Sequence, residues 1–435
     1  MARDPRITDV SKEILSSKWV IIQRKCGAQT KPQEARMDHS EVPALGARGC
    51  LGQLNPLIRR LRDTGPIVRV RTPVGDEAWL VTRLAELKQL LLDDRLGTTH
   101  PDPPNRARYL DNPMLDLIVS DQDPADARRT HHALRSSLTP YFSAKRIAGM
   151  RSRVGAVADE HLDAILAKQP PVDMHTEFSL PFSYQILCDL LGVADPAEYQ
   201  AVLDRISSVG AGLDQVQELF GYLGEVAERK RVQPGDDLAS ALCQAGLPDE
   251  FVGALLAFVT MSYQVTPHSI SAAIGLFATN PDQHKLVLED PELLPGAVEE
   301  ALRMSKFAES ALPRYASADI EIGGVTIRAG DLVLCDHGST AFDDRVFEDP
   351  ERFDVTRSPN PHLVFSHGMT YCIGAPLARL EISEVLARLL PRLPSMRLAI
   401  PIGDIPVSGE LSEQKVGGGI AQLPITWDLP VPSAY

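Results

Sequence analysis

The chain has 435 residues, 44% hydrophobic and 23% charged, with a net charge of -14 and a pI of about 5.3. That is enough apolar material for one large unit or two to three ordinary ones, and too acidic for a nucleic-acid binder as the default reading. The six cysteines, at 26, 50, 188, 243, 335 and 372, share no motif spacing. This excludes a disulfide framework and a zinc knuckle, and fits a reducing cytoplasm.

Residues 1–36 are weakly patterned and read as a disordered arm or an extension, since Met37 offers another start. The boundary is set at an arm over 1–45 and a main domain over 46–435. Trp19 to Ile22, WVII, is too short for a signal-peptide core. The longest apolar stretch, FVGALLAFVTM, is far below a membrane span. Together these predict a soluble protein with no membrane anchor. Val68 to Arg83 alternates on both sides of Gly75-Asp76 and predicts a hairpin. Helical spacing begins at Leu84, and it returns over most of Ile147 to Leu191. Asp237 caps a further helix after Pro234. Asp249 to about Thr279 reads as one long helix, apolar nearly all round and therefore central, with a kink at Pro267. PELLPGAVEEALRM is another helix. ADIEIGGVTIRAGDLVLCD has period two and Gly-Gly and Ala-Gly turns, a small β region. Asp336 to Pro361 is polar and irregular. A last helix starts near Pro376 and stops at Pro391, and strand-like pieces close the chain. The class is mainly α with a minor β part, in one compact unit.

FSHGMTYCIGAPLAR, Phe365 to Arg379, places a lone cysteine ahead of a helix start. A thiol ligates metal as thiolate, which helix N-termini and backbone N–H donors favour. Gly368 and Gly374 allow tight turns on either side of Cys372, and Pro376 suits the first helical turn. A single thiolate without protein co-ligands suits a metal whose other positions belong to a macrocycle, that is, haem. The other reading is an inert buried cysteine.

The loop fits the pattern F-x-x-G-x-x-x-C-x-G, and the chain resembles the cytochrome P-450 monooxygenases from about residue 50 to 430. The resemblance implies a single triangular-prism-like domain with a long central helix and haem b, with Cys372 as axial ligand. Glu300 and Arg303 in EEALR match its E-x-x-R, and Arg357 the arginine that completes a structural network. Taken alone, such a pair is usually a surface salt bridge. RTHHALRSSL matches the H-x-x-x-R helix and gives His131 and Arg135. LPRYASADIEIGG gives Arg314. With Phe365, Gly368, Cys372 and Gly374 these make the implied haem-binding set. Thr370 stands where the family often has a histidine, which puts one propionate contact in doubt.

On the long helix the family reads A-G-x-(D/E)-T. Here MSYQVT puts Ser262 at the glycine, Gln264 at the acid and Val265 at the threonine, with Thr266 about 100° further round. Gln264 cannot exchange a proton as a carboxylate does, and Val265 has no hydroxyl. Proton delivery then falls to water, Ser262, Thr266, His268 or the substrate itself. The alternative is a one-residue shift that leaves Thr266 as the usual alcohol. Several stretches resemble the actinobacterial cyclodipeptide-tailoring branch, which implies a compact aromatic substrate that is coupled or hydroxylated. Hydroxylation or epoxidation of a polyketide or other secondary metabolite is the alternative. By family position the substrate also meets Ala308, Glu309, Leu312, Gln414 and Val416.

No flavin or iron–sulfur segment is visible. The resemblance implies electrons from NAD(P)H through ferredoxin reductase and ferredoxin, docking at Arg128, Arg129 and Arg379. Two rivals remain: a cysteine hydrolase using Cys372 with His367, and a haem-binding sensor without turnover.

Overall fold

The computed structural model describes residues 43, 45, 51–111, 115, 119–120, 122–207, 213–305, 311–408 and 419–429. The arm over 1–36 lies outside them. The hairpin is as the alternation predicts. β1 (Ile67–Arg71) pairs antiparallel with β2 (Glu77–Val81) in the register Ile67 to Val81, and Gly75 turns the chain at φ +88°. β2 continues in parallel to β5 (Leu332–Cys335), which pairs antiparallel with β4 (Leu312–Ala316), and β3 (Leu96–Gly97) closes the sheet at the far edge. A separate hairpin, Ile320–Ile322 with Val325–Ile327, turns at Gly323 and Gly324, both with positive φ. Under the sheet lies a small core of Ile67, Trp79, Val81, Leu87, Val333 and Phe347.

The larger core is helical. Helix α1 (Pro124–Leu138) starts at a cap where Asp123 accepts from Ala125 N. Helix α2 (Leu180–Leu191) ends at Gly192, which takes the left-handed conformation at φ +83°. Asp237 caps Leu238–Gln244 through Ser240 N, as expected. The expected single long helix is two: α3 (Asp249–Tyr263) and α4 (Thr266–Thr279), separated by a turn at Gln264–Val265. Pro267 is the cause, but its effect falls upstream of itself. It has no N–H for the carbonyl of Tyr263, and it disfavours helical geometry at Thr266. The ladder therefore stops at Tyr263 and restarts with Pro267 in the first turn of α4. Ile270, Ala272, Ala273, Ile274, Leu276 and Phe277 are buried on nearly every side of α4, so it runs through the core as its composition requires.

Helix α5 (Leu294–Arg303) and helix α6 (Ala375–Arg392) both pack against α4. α6 extends past the expected stop: Pro391 sits in its last turn. Leu377, Leu380, Val385, Leu386 and Leu389 are buried on α6. Each such side chain contributes roughly 1.5–3 kcal/mol on burial, and together they hold the residues just before α6 against the core. Two short strands, β6 (Val407–Ser408) and β7 (Gly419–Ile420), pair antiparallel near the C-terminus.

Candidate active site

The loop before α6 is set by its own backbone. Cys372 N donates to Phe365 O at 2.8 Å and Tyr371 N to Gly368 O at 3.1 Å. Gly368 has φ +61°, and a Cβ there would lie 2.9 Å from Leu92 Cδ2, so glycine is required on both counts. Gly374 departs from expectation. Its φ of -79° and ψ of -3° are open to any residue, because it serves as the cap of α6 rather than as a tight turn. The second left-handed residue is Ser366, at φ +64°, with its hydroxyl 2.8 Å from Thr370 Oγ1. Thr370 also donates to His367 O at 3.0 Å, so its hydroxyl is spent inside the loop.

Cys372 opens to the outside of the chain. Packing around the sulfur pushes the thiol up. The N–H groups of Gly374 and Ala375, and then the guanidinium groups of Arg135 and Arg379, work the other way. Among the described residues no cluster of His, Cys, Asp and Glu could hold a metal ion jointly, so the thiol is a single donor. Arg135 reaches from α1 to donate to Tyr371 O at 2.6 Å. His131, one turn earlier, is exposed. Arg314 on β4 donates to Pro313 O at 2.9 Å, and no carboxylate among the described residues pairs with it. Burial lowers its pKa, with only Cys335 opposing. An enclosed cation without an anion is costly unless something acidic meets it. Leu312 on the same strand is 37% exposed, and on and just after α3 Phe258 and Val265 are each 52% exposed. A flat, largely apolar group with acidic arms and one open metal position satisfies this set: exposed apolar side chains, an unpaired arginine and a lone thiol.

The E-x-x-R pair is the opposite of a surface bridge. Glu300 and Arg303 have side chains 0% exposed. Arg303 Nε and Nη2 donate to the two carboxylate oxygens at 2.8 and 2.7 Å, and Nη1 donates to Ala341 O and Pro350 O. Arg357 Nε, Asn360 Nδ2 and Asp354 N also donate to Glu300, at 3.1, 3.0 and 3.2 Å. Glu300 and Arg303 together thus tie down the irregular segment 341–360.

On and just after α3, Phe258, Ser262 and Val265 are exposed on one face, at helical spacing. Thr266 is buried, 7% exposed. Gln264 turns away from that face. It accepts from Tyr184 OH of α2 at 3.3 Å and donates to Thr260 O at 3.4 Å. Behind the same turn Tyr263 OH donates to Glu381 Oε2 of α6 at 2.7 Å. Burial pushes the Glu381 carboxyl up to about 8, although the Tyr263 bond opposes it, and its Oε1 has no partner. Sequence reasoning passed over Tyr184, Glu381 and Asn360. Glu381 alone had a signal, a carboxylate on the apolar face of α6.

Ala308, Glu309, Gln414 and Val416 lie outside the described residues. Arg379 is not the free surface charge expected. Its Nε and Nη2 bond Glu299 at 2.6 and 2.9 Å, and its guanidinium lies 4.5 Å above the Phe365 ring. Burial acts to raise Glu299, but Arg379 and His362 together outweigh it and hold the carboxyl at about 2. Arg129 pairs with Asp126, and Arg128 donates to Asp94 O. No helix among the described residues is long and apolar enough to cross a membrane.

A family model described as Cytochrome P450 matches residues 283–394. The chain is 36% identical to pentalenolactone synthase of Streptomyces exfoliatus, over 86% of this chain and 96% of that protein. It is 34% identical to mycinamicin IV hydroxylase/epoxidase of Micromonospora griseorubida, over 84% and 94%. Among solved structures it is similar to substrate-free cytochrome P450 PimD, a polyene macrolide antibiotic pimaricin epoxidase. That likeness has a TM-score of 0.82 and 44% identity, and covers 89% of this chain and 100% of the other.

Proposed function

The chain belongs to the cytochrome P450 family, and on that premise we propose that it is a haem-thiolate monooxygenase that hydroxylates or epoxidises an oxygen-rich secondary metabolite of the macrolactone kind. Haem held by a cysteine thiolate is its cofactor. That group, when bound, activates dioxygen and supplies one oxygen atom to the substrate. Cys372 would hold the iron, with Gly374 N–H and Ala375 N–H stabilising its charge. Arg135 and Arg314 would meet the acidic arms, and His131 stands at the rim. The single observation that carries the site is the lone Cys372 thiol beside the N–H groups of Gly374 and Ala375, with the Arg135 guanidinium close by.

The chain's own residues shape the rest. Val265 offers the substrate side a hydrocarbon surface where a hydroxyl is usual. Gln264 is bonded to Tyr184 and holds the interrupted turn in place instead of moving a proton. Ser262 is the one exposed hydroxyl on α3 near the turn, and it is placed to orient water. The burial of Thr266 speaks against its acting as a shifted alcohol. Two of the relatives are named a hydroxylase/epoxidase and a macrolide epoxidase, which favours oxygen insertion over ring coupling, and macrolactones over cyclodipeptides. Electrons would come from NAD(P)H through a ferredoxin and its reductase. With Arg379 bound to Glu299 and Arg129 to Asp126, the docking charge falls mainly to Arg128.

The test has two parts. Protein expressed with haem precursor should give the thiolate-type spectrum with carbon monoxide after reduction, and Cys372→Ala should lose it. Incubation with ferredoxin, reductase, NAD(P)H and a macrolactone panel should yield products heavier by one oxygen atom. An unchanged spectrum in Cys372→Ala refutes the site. Turnover of aromatic cyclodipeptides with no turnover of macrolactones refutes the substrate class.

A further inference from the structure

The start of α4 carries an imidazole that the account above leaves unused. His268 lies three residues beyond Val265, at the edge of the exposed face. Its Nδ1 is 3.1 Å from Ile420 O on β7. A carbonyl only accepts, so Nδ1 carries the proton and Nε2 is the lone-pair nitrogen. Nε2 has no hydrogen-bond partner among the described residues, and it is not sealed inside the protein. The ring cannot turn freely. It stacks on His175 with centroids 4.9 Å apart and planes 13° apart. His175 is itself tied through Nδ1 to Ser271 Oγ at 2.9 Å. On the other side the ring abuts the β7 backbone: a Cβ on Gly419 would lie 2.4 Å from His268 Cγ. Burial lowers the pKa of His268 against the bond to Ile420, so the ring is neutral near pH 7.

Tautomer, plane and depth are therefore fixed, and what remains is one acceptor three residues along from the exposed hydrocarbon surface of Val265. We propose that His268 Nε2 accepts a hydrogen bond from a hydroxyl of the substrate and selects for a hydroxylated metabolite at this position. This rests on the monooxygenase reading and deepens it. An alcohol donates to Nε2. A carboxylate would set lone pair against lone pair, and a bare hydrocarbon would leave the nitrogen unpaired. An unpaired buried acceptor costs about 1–3 kcal/mol, roughly a five- to 150-fold loss in affinity.

Two variants separate the ring's two nitrogens. In His268→Asn the side-chain amide can still donate to Ile420 O, but nothing reaches the Nε2 position. In His268→Gln the acceptor reaches that position and the Ile420 bond is lost. The probes are 4-phenylimidazole and its three hydroxyphenyl isomers, titrated into the holoprotein and followed by the visible spectrum. At least one isomer should bind the wild type about tenfold or more tighter than the parent. The gain should persist in His268→Gln and vanish in His268→Asn. If His268→Asn does not retain haem, His268→Phe replaces it with the same expectation. The proposal is overturned if no isomer gains, or if the gain survives when the acceptor is removed. A separate arm titrates mycinamicin IV and 6-deoxyerythronolide B into the wild type. If neither shifts the spectrum, the macrolactone reading falls, and the phenol series still decides the role of His268.

Discussion

Replacing Glu381 with glutamine should stabilise the protein, and increasingly so as pH rises. Glu381 is fully buried, and its pKa is displaced from 4.5 to about 8. At about 1.4 kcal/mol per pH unit, ionising it inside the fold costs on the order of 5 kcal/mol more than in water. The unfolded chain releases this proton near its ordinary value, while the folded chain keeps it until about pH 8. Between these limits the folded state binds more protons, so stability falls with rising pH, and the loss is complete above about 8. Glutamine keeps an acceptor for the Tyr263 hydroxyl and has no charge to form. Thermal unfolding of the holoprotein, followed by circular dichroism at pH 5.5, 7 and 8.5, should show the variant's advantage growing at each step. A gap between variant and wild type that is the same at pH 5.5 and pH 8.5 would refute the assignment of a neutral buried acid.

Glu300→Gln leaves Arg303 and Arg357 without their counter-charge. It should cost about 3–5 kcal/mol, seen as a lower urea midpoint and a smaller haem-loaded fraction. Arg314→Gln removes one charge-assisted contact, worth about 1.5–3 kcal/mol. Haem transfer to apomyoglobin should then quicken roughly ten- to a hundredfold, with the unfolding midpoint little changed. Val265→Thr adds a hydroxyl on the exposed face at nearly constant volume. A larger share of consumed NAD(P)H should appear as oxygenated product and less as hydrogen peroxide, and unchanged partition would sink the relay reasoning.

Local chemistry made much of this molecule readable in advance. Gly75 and the alternation around it specify the hairpin, and the Cys372 loop is announced by Gly368 and the helix that follows. What could not be read is set by partners distant in sequence. Pro267 signals a disturbance, but the position of the break depends on a ladder that fails at Tyr263. Gln264 looks like a lost acid until Tyr184 is found beside it. Arg379 reads as a surface charge, yet Glu299 on another helix claims it. The isolation of Glu300 from solvent depends on donors from 303 to 360, which i, i+3 spacing cannot disclose.

That convergence on Glu300 has a bearing on the order of assembly. A carboxylate cannot be sealed away while its donors are still wandering, since an unmatched interior charge costs several kcal/mol. Helix α5 can settle only as the stretch around Arg357 and Asn360 wraps over it, and that stretch leads straight into the ligand loop. Electrostatics thus favours closing this platform before the ligand loop takes up its iron.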